Sequence, residues 1–295
     1  MYYGTRLQMD YRTVWLEGMK DWHGKLPERM TNDQMEEKFW QDYLAKREGK
    51  LPQPDPYAIG LMKELHTLFR PTDSVLEIGP GWGNYTFETA RIVSDYTCLD
   101  SSSSVLRYLR ETAEALSIQN MRWIHSKWEE HAPDSGSYDI VFGINCYYRM
   151  QEIVQAMLNM NRAARRLAII GLTSGPEPPH YWEIHRKLGI AVKFSRRDYI
   201  HLTNLLYQLG IDVNCRIIPL ERVYAYDTWE QLVEVQTRKL IMNEERPLTA
   251  ADQQAIQDIV RKYAVEVEGR PAIRHRFKAA LLYWQPVDER HLVLD

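Results

Sequence analysis

The segment Val75-Leu-Glu-Ile-Gly-Pro-Gly-Trp-Gly-Asn-Tyr-Thr86 decides the fold class of this chain. It begins with a short, mainly apolar run that is typical of a buried strand, and three glycines follow at alternate positions. Glycine lets the backbone turn sharply and lets a ligand approach without a Cβ in the way. The segment therefore predicts a buried strand that runs into a turn able to hold a nucleoside or a phosphate group.

From residue 73 onward, short apolar runs alternate with helical patterns, which is typical of a parallel sheet covered by helices. Strands are predicted over 74–78, 95–99, 121–125, 138–144, 167–173, 212–225 and 276–284. Helices are predicted over 56–69, 84–93, 103–116, 151–165, 197–209, 227–242 and 249–266. We therefore expect an α/β fold with a seven-stranded, mostly parallel sheet and helices on both faces. The proline-rich stretch 173–182 predicts an irregular loop.

The N-terminal segment carries aromatic and charged side chains at helical spacing. Thr31 or Asn32 is a candidate cap for a helix with an acidic first turn. Three prolines between residues 52 and 56 then interrupt the helical pattern. We predict a helical extension or cap over 1–55 and a main domain over 56–295, with a helical insert between strands 6 and 7 at about 227–268.

Composition narrows the classes of function. The chain has 295 residues and a formal net charge of −3, which gives no overall attraction for a polyanion, so we expect nucleic acid to be an unlikely partner. No apolar run is long enough for a membrane helix, and there is no N-terminal signal core. The three cysteines lie far apart without metal-ligand spacing. We expect a cytoplasmic protein with no metal, either a monomer or a homodimer.

The glycine turn departs from the dinucleotide fingerprint G-x-G-x-x-G, because its third glycine falls one place early and Asn84 takes the sixth position. Glu77 instead stands two residues before the first glycine. The next predicted strand is followed by Asp100, whose two carboxylate oxygens suit the two hydroxyls of a ribose. The alternative is that Asp100 only caps the helix that begins near Ser102.

This combination of an acid-x-G-x-G-x-G turn and an acid after the second strand resembles the class I S-adenosylmethionine-dependent methyltransferases, over roughly residues 56–226. The resemblance implies a Rossmann-like fold, S-adenosylmethionine as methyl donor, S-adenosylhomocysteine as product, and Asp100 as ribose ligand. Candidate donor-binding residues are Glu77, Gly79, Pro80, Gly81, Gly83, Asn84, Asp100, Ser101, Ser126, Trp128 and Asn145. Where family members often have an acid facing the adenine, this chain has Ser126-Lys-Trp128. Trp128 lies either along the base or in the core.

Candidate acceptor residues follow the fourth and fifth predicted strands. Ligands bind beyond the carboxyl ends of such strands, so Tyr147, Tyr148 and Arg149 should face the transferred methyl group. Cys146 fits a small buried hydrophobe better than a nucleophile. Candidate catalytic residues are Tyr148, His180 and His185, and candidate substrate-binding residues are Tyr11, Trp15, Tyr147, Tyr148, Arg149 and Tyr181. Packing is the alternative role for the histidines and for the N-terminal aromatics.

The sequence therefore predicts an enzyme that transfers a methyl group to a small-molecule acceptor by in-line displacement. The predicted helical additions favour a small acceptor, because a cover encloses a small molecule better than a polymer. The alternatives are methylation of a protein or an RNA, a nucleotide-dependent oxidoreductase, and a non-catalytic binding protein that keeps the cofactor fold.

Overall fold

The central sheet can be followed strand by strand in the computed structural model, which describes residues 9–21, 23–47, 53–192, 198–238, 240–241 and 247–293. The strands are β1 Ser74–Ile78, β2 Asp95–Asp100, β3 Met121–His125, β4 Tyr138–Ile144, β5 Ala164–Ser174, β6 Ala191–Val192, β7 Asn214–Ala225, β8 Leu240–Ile241, β9 Ala264–Val267 and β10 Arg270–Trp284. The main sheet has the order β3-β2-β1-β4-β5-β10-β7, and β9 pairs with β10. The four pairings among β1 to β5 are all parallel.

Helices fill the connections between these strands. They are α1 Tyr11–Met19, α2 Glu28–Thr31, α3 Asp33–Ala45, α4 Pro56–His66, α5 Thr86–Ala90, α6 Ser103–Ala115, α7 Ile153–Ala163, α8 Pro179–Leu188, α9 Asp198–Gln208, α10 Trp229–Thr237 and α11 Ala250–Tyr263. Short 3₁₀ turns follow at Tyr147–Arg149 and Glu289–His291. The predicted α/β class with a mostly parallel sheet is confirmed.

The predicted strand count was one too low for the main sheet. All seven predicted strands are present, and β9 is the eighth. The helical pattern was extended to residue 266, but α11 ends at Tyr263. The next four residues, Ala-Val-Glu-Val, contain β-branched valines at alternate positions, and they pair antiparallel with β10.

The loop predicted over 173–182 is wrong in its second half, because helix α8 begins at Pro179. The prolines of this stretch all lie before the helix or at its first position. Proline is well suited there, since its fixed φ matches a helix and its missing N–H is not needed. The helix ends at Gly189 in the left-handed conformation, with φ +65°.

The chain forms two compact units. The first consists of the described residues within 1–173, 198–218 and 279–295, and the second of those within 174–197 and 219–278. The N-terminal helices thus share a unit with β1 to β4, and the second unit extends beyond the predicted insert at both ends and includes the segment that contains α8. Each unit has its own cluster of buried apolar side chains.

Burial explains why β1 and β4 take their central places in the first unit. Leu76, Ile78, Val141 and Phe142 are all 1% exposed or less, which is typical of parallel strands covered on both faces. The central strands place their carboxyl ends at one edge of the sheet, where the connecting loops are free to form a site.

Candidate functional site

A cavity of about 920 Å³ lies at the carboxyl ends of β1, β2 and β4, entirely within the first unit. We call the carboxyl ends of β1 to β4 and the segments that follow them, including the start of α6, the floor of this cavity. Helices α2 and α3, whose residues between positions 29 and 43 line it, are called the roof. The volume is in the range of small-molecule and cofactor sites, which is roughly 300–1,000 Å³.

The glycine turn after β1 forms the centre of the floor. Gly79, Gly81 and Gly83 all have positive φ, at +59°, +56° and +87°. A Cβ on Gly79 would lie 2.5 Å from Cβ of Cys146, and a Cβ on Gly81 would lie 2.9 Å from the Trp40 ring. The sequence therefore needs glycine at these positions for both backbone conformation and space.

Glu77 lies beneath this turn and is 2% exposed. Its Oε2 accepts hydrogen bonds from the hydroxyls of Thr86 and Tyr96, each at 2.6 Å. Burial raises the pKa of this carboxyl to about 7, although the two hydroxyl donors oppose the shift. Glu77 thus joins β1 to β2 and to the start of α5, and it also lines the cavity.

Asp100 ends β2 and is 7% exposed. Its carboxylate accepts hydrogen bonds from the backbone N–H groups of Ser102, at 2.8 Å, and of Gly81. Burial raises its pKa to about 7. The N-cap of α6 is Ser102, whose hydroxyl accepts from Val105, so capping alone does not account for Asp100. The acid joins the β2 end to the glycine turn.

The other predicted donor-binding residues, apart from Gly83, line the cavity as well, and four of them have side chains hydrogen-bonded within the protein. Asn84 Oδ1 accepts from the N–H of Asp55, and Asn145 Oδ1 accepts from Thr173. Trp128 is 1% exposed and donates to the carbonyl of Ala156, so most of its ring belongs to the core. The Ser126 hydroxyl donates to the carbonyl of Lys127, and Pro80 and Ser101 complete this set. Gly83 is not among the lining residues and packs instead against Phe87 and Leu109.

Glu36 is the centre of the roof and is 3% exposed. Its Oε1 accepts from the Tyr148 hydroxyl at 2.7 Å and from Nε1 of Trp40 at 2.9 Å. Its Oε2 accepts from Nε of Arg29 at 2.8 Å. The Arg29 guanidinium lies 3.4 Å from the ring centroid of Phe39. A buried, fully bonded carboxylate therefore joins α2 and α3 to the end of β4.

Two further acids of α3 bind the floor. Asp33 pairs with Lys127 and with Arg149, each at 2.8 Å, and these cations lower its pKa. Glu37 accepts from the hydroxyls of Ser103 and Ser104 at the start of α6. Burial opposes ionisation of Glu37, but the serine donors outweigh it and lower the pKa to about 2.

The roof contains functional candidates that the sequence reasoning missed, namely Arg29, Asp33, Glu36 and Trp40. The available signal was the predicted helix with an acidic first turn and an aromatic face. Asn32 does cap this helix, accepting from the N–H groups of Gln34 and Met35. The periodicity identified which residues share a face, but it did not identify what that face covers.

The predicted acceptor residues divide into two groups. Tyr148 and Arg149 line the cavity. Tyr147 and Trp15 are each 1% exposed in the hydrophobic core, where their polar atoms donate to the carbonyls of Gly143 and Met150. Tyr11 packs against the same core on α1. The cavity lining does not include these last three residues, which have packing contacts instead.

Cys146 contacts the glycine turn and has a pKa raised by burial. A thiolate is the reactive form of cysteine, so this environment does not favour a nucleophile.

His180, Tyr181 and His185 lie on α8 in the second unit. Tyr181 donates to Gln236 Oε1 at 2.8 Å, and Nε2 of His180 is 3.2 Å from the same oxygen. His185 Nδ1 is 2.9 Å from the carbonyl of Ile190. None of the three is among the residues that line the cavity of the first unit. Their contacts are those of packed side chains on a regular helix.

Within the described ranges, no helix is long and apolar enough to cross a membrane. The same ranges hold no group of three or more His, Cys, Asp and Glu side chains that is arranged to hold a metal ion.

Residues 75–166 match the family model described as "Methyltransferase domain". The matched segment runs from β1 through the glycine turn, Asp100 and β4 into β5, so it contains the floor of the cavity. The predicted resemblance to the class I S-adenosylmethionine-dependent methyltransferase family, which has a Rossmann-like fold, is confirmed over this segment. S-adenosylmethionine is the methyl donor of this family.

Relatives with more extended similarity are distant. An uncharacterized protein of Haemophilus influenzae is 23% identical over 194 residues, which is 63% of this chain and 68% of that protein. The YcgJ protein of Bacillus subtilis is 17% identical, with a TM-score of 0.48 over 78% of this chain and 97% of that one. Phosphoethanolamine N-methyltransferase 2 of Haemonchus contortus is 12% identical, with a TM-score of 0.48 over 86% of this chain and 58% of that one.

Proposed function

We propose that this protein transfers a methyl group from S-adenosylmethionine to a small-molecule acceptor by in-line displacement. The observation that carries the proposal is the single cavity that has the donor-type floor on one side and the Arg29–Glu36–Tyr148 network on the other. A reaction between two small molecules needs both to lie in one enclosed space.

The floor suits the donor. Asp100 presents a carboxylate at the end of β2, and a carboxylate accepts the two hydroxyls of a ribose. The positive φ values of Gly79 and Gly81 bring backbone rather than side chain to the cavity surface. Ser126 and Glu129 follow β3 and line the cavity, and we propose that they face the adenine.

The roof suits a small acceptor. Three of its acids are bonded to three separate parts of the floor: Asp33 to Arg149 and Lys127, Glu36 to Tyr148, and Glu37 to the start of α6. These contacts keep α3 over the strand ends and limit access for a polymer. A cover of this kind also excludes water, which protects a reactive methyl donor.

Positioning is the main task of the protein in such a reaction. S-adenosylmethionine supplies a methyl group that its sulfonium has already activated, so alignment of the acceptor contributes most of the remaining catalysis. Tyr148 is the best-placed residue for this, because its ring lines the cavity and Glu36 and Arg29 fix its hydroxyl. We propose Tyr148 and Arg149 as acceptor-binding residues.

The proposal includes a reducing, cytoplasmic setting, because all three cysteines of the chain are free thiols. A monomer or a homodimer is compatible with it.

Calorimetry with S-adenosylhomocysteine tests the donor site. We expect micromolar or tighter binding by the wild type, and loss of binding in Asp100→Ala. The pKa of Asp100 is about 7, and the ionised carboxylate is the better acceptor for ribose hydroxyls. Affinity should therefore fall as the pH is lowered from 8 to 6, approaching about tenfold per unit below the pKa.

The pH dependence has two matched controls. Asp100→Asn should bind weakly and without this slope, whereas Glu77→Gln should keep the slope, although Glu77 has a similar pKa. Preferential binding of NAD by the wild type would overturn the assignment of the donor. A labelled-methyl transfer screen against fractionated metabolites, compared with protein and RNA fractions, tests the small-molecule acceptor.

A further inference from the structure

Tyr85 is a buried tyrosine whose hydroxyl has no hydrogen-bond partner among the described residues. The residue is 5% exposed. Tyr96, by comparison, is 0% exposed but donates to Glu77 at 2.6 Å. Buried polar groups in native proteins are nearly always bonded, because an unmade bond costs free energy. The unpaired hydroxyl of Tyr85 therefore needs an explanation, whereas the bonded hydroxyl of Tyr96 needs none.

The position of Tyr85 suggests that explanation. It comes directly after the glycine turn and before α5, and it lines the cavity together with Tyr57 and Glu77. Burial raises the pKa of the Tyr85 hydroxyl well above its usual value, and Tyr57, Glu77 and Asp55 add to the shift. The hydroxyl thus stays protonated as a hydrogen-bond donor, next to the site that the mechanism uses.

The sheet order indicates which part of a bound donor lies near Tyr85. Asp100 ends β2, and β3 and β1 lie on its two sides. If the ribose is bound at Asp100 and the base lies toward β3, the rest of the donor must extend over β1. Tyr85 follows β1, on the side of the site away from β3.

We propose that the Tyr85 hydroxyl hydrogen-bonds the amino-acid end of the bound methyl donor. This inference rests on the proposed function, since it requires S-adenosylmethionine to occupy the cavity with its ribose at Asp100. It makes Tyr85 a donor-positioning residue, which holds the amino-acid end while the nucleoside is held on the other side.

Two ligands distinguish binding of the donor's amino-acid end from binding of its nucleoside. S-adenosylhomocysteine has the amino-acid chain, whereas methylthioadenosine keeps the nucleoside and the thioether but lacks that chain. We expect Tyr85→Phe to weaken binding of S-adenosylhomocysteine roughly ten- to a hundredfold, the usual effect of losing a hydrogen bond to a charged group. Binding of methylthioadenosine should change less than about twofold, within the usual scatter of such measurements.

Thermal unfolding of the free protein provides a second readout, in which the same substitution should stabilise the protein although it weakens ligand binding. Tyr85→Phe removes an unpaired buried hydroxyl, so it should raise Tm by about 2 °C. Tyr96→Phe is the matched control, because it removes a hydroxyl that is bonded to Glu77, and it should lower Tm.

The outcomes are distinct. Failure of the wild type to bind S-adenosylhomocysteine would overturn the proposed function and this inference with it. Binding by the wild type with equal losses of both ligands in Tyr85→Phe, or with no loss of either, would overturn this inference alone. A lower Tm for free Tyr85→Phe would show that the hydroxyl already has a structural partner, and would also overturn it.

Discussion

The floor and the roof of the cavity are built from different kinds of contact. The floor depends on backbone geometry and on residues adjacent in the chain, as in the turn from Gly79 to Gly83. The roof depends on ion pairs and hydrogen bonds between residues far apart in the chain, such as Glu36 with Tyr148. We infer that the floor is suited to a ligand common to a whole family, and the roof to one particular to this chain.

The largest effect is expected at Gly79 in the floor. Gly79→Ala would place a Cβ 2.5 Å from Cβ of Cys146 at a residue with φ +59°. We expect the free energy of unfolding to fall by about 4 kcal/mol, from backbone strain and overpacking together, and binding of S-adenosylhomocysteine to be lost. Urea unfolding and calorimetry measure the two effects.

Gly24→Ala is the matched control for this variant. Gly24 has φ +73°, but a Cβ there would meet nothing within 4 Å. Only the strain of the left-handed conformation remains, so we expect a loss of about 1–2 kcal/mol and unchanged binding. Equal effects of the two substitutions would mean that the close approach at Gly79 does not constrain the floor.

A smaller effect is expected at Glu36 in the roof. Glu36→Ala leaves the Arg29 side chain without its carboxylate partner, and Arg29 is 37% exposed, so water compensates in part. We expect the free energy of unfolding to fall by about 2 kcal/mol, less than for a fully buried pair. Binding of S-adenosylhomocysteine should stay within about threefold, because a change confined to the roof adds little to donor binding.

Asp42→Asn on the same helix is the control for an exposed pair. Asp42 and its partner Lys38 have side chains that are 63% and 70% exposed, so the free energy of unfolding should change by less than about 0.5 kcal/mol. If Glu36→Ala weakened donor binding as much as Asp100→Ala, the roof would be part of the donor site. The inference that floor and roof serve different ligands would then be wrong.

The same difference between floor and roof explains how far the sequence predicted the site. Glu77, Gly79 and Asp100 were predicted to bind the donor, and they line one cavity, because a motif at a strand end fixes its own geometry. Trp15 and Trp40 both lie in the N-terminal segment at helical spacing, and the sequence favoured Trp15. The structure places Trp15 in the core and Trp40 against Gly81. Helical periodicity reports which residues share a face, and the docking of that face depends on distant residues such as Tyr148.

The smallest effect is expected at Glu37, where the roof contacts the start of α6. Glu37 accepts from the Ser103 and Ser104 hydroxyls and from the Ser104 N–H, and its pKa is lowered from 4.5 to about 2. A carboxyl whose pKa is lower in the folded state stabilises the protein above its unfolded pKa. That contribution is lost as the pH falls from about 4.5 through about 2.

Glu37→Gln should therefore lower the free energy of unfolding by about 1 kcal/mol at neutral pH, since the site is only half-buried and the amide oxygen still accepts a hydrogen bond. The difference from wild type should shrink between about pH 5 and pH 3, where the unfolded carboxyl becomes protonated first. Urea unfolding at the two pH values measures it, with Asp42→Asn as the exposed control. A constant difference across this range would mean that Glu37 acts through packing, and the third roof-to-floor contact would then not be electrostatic.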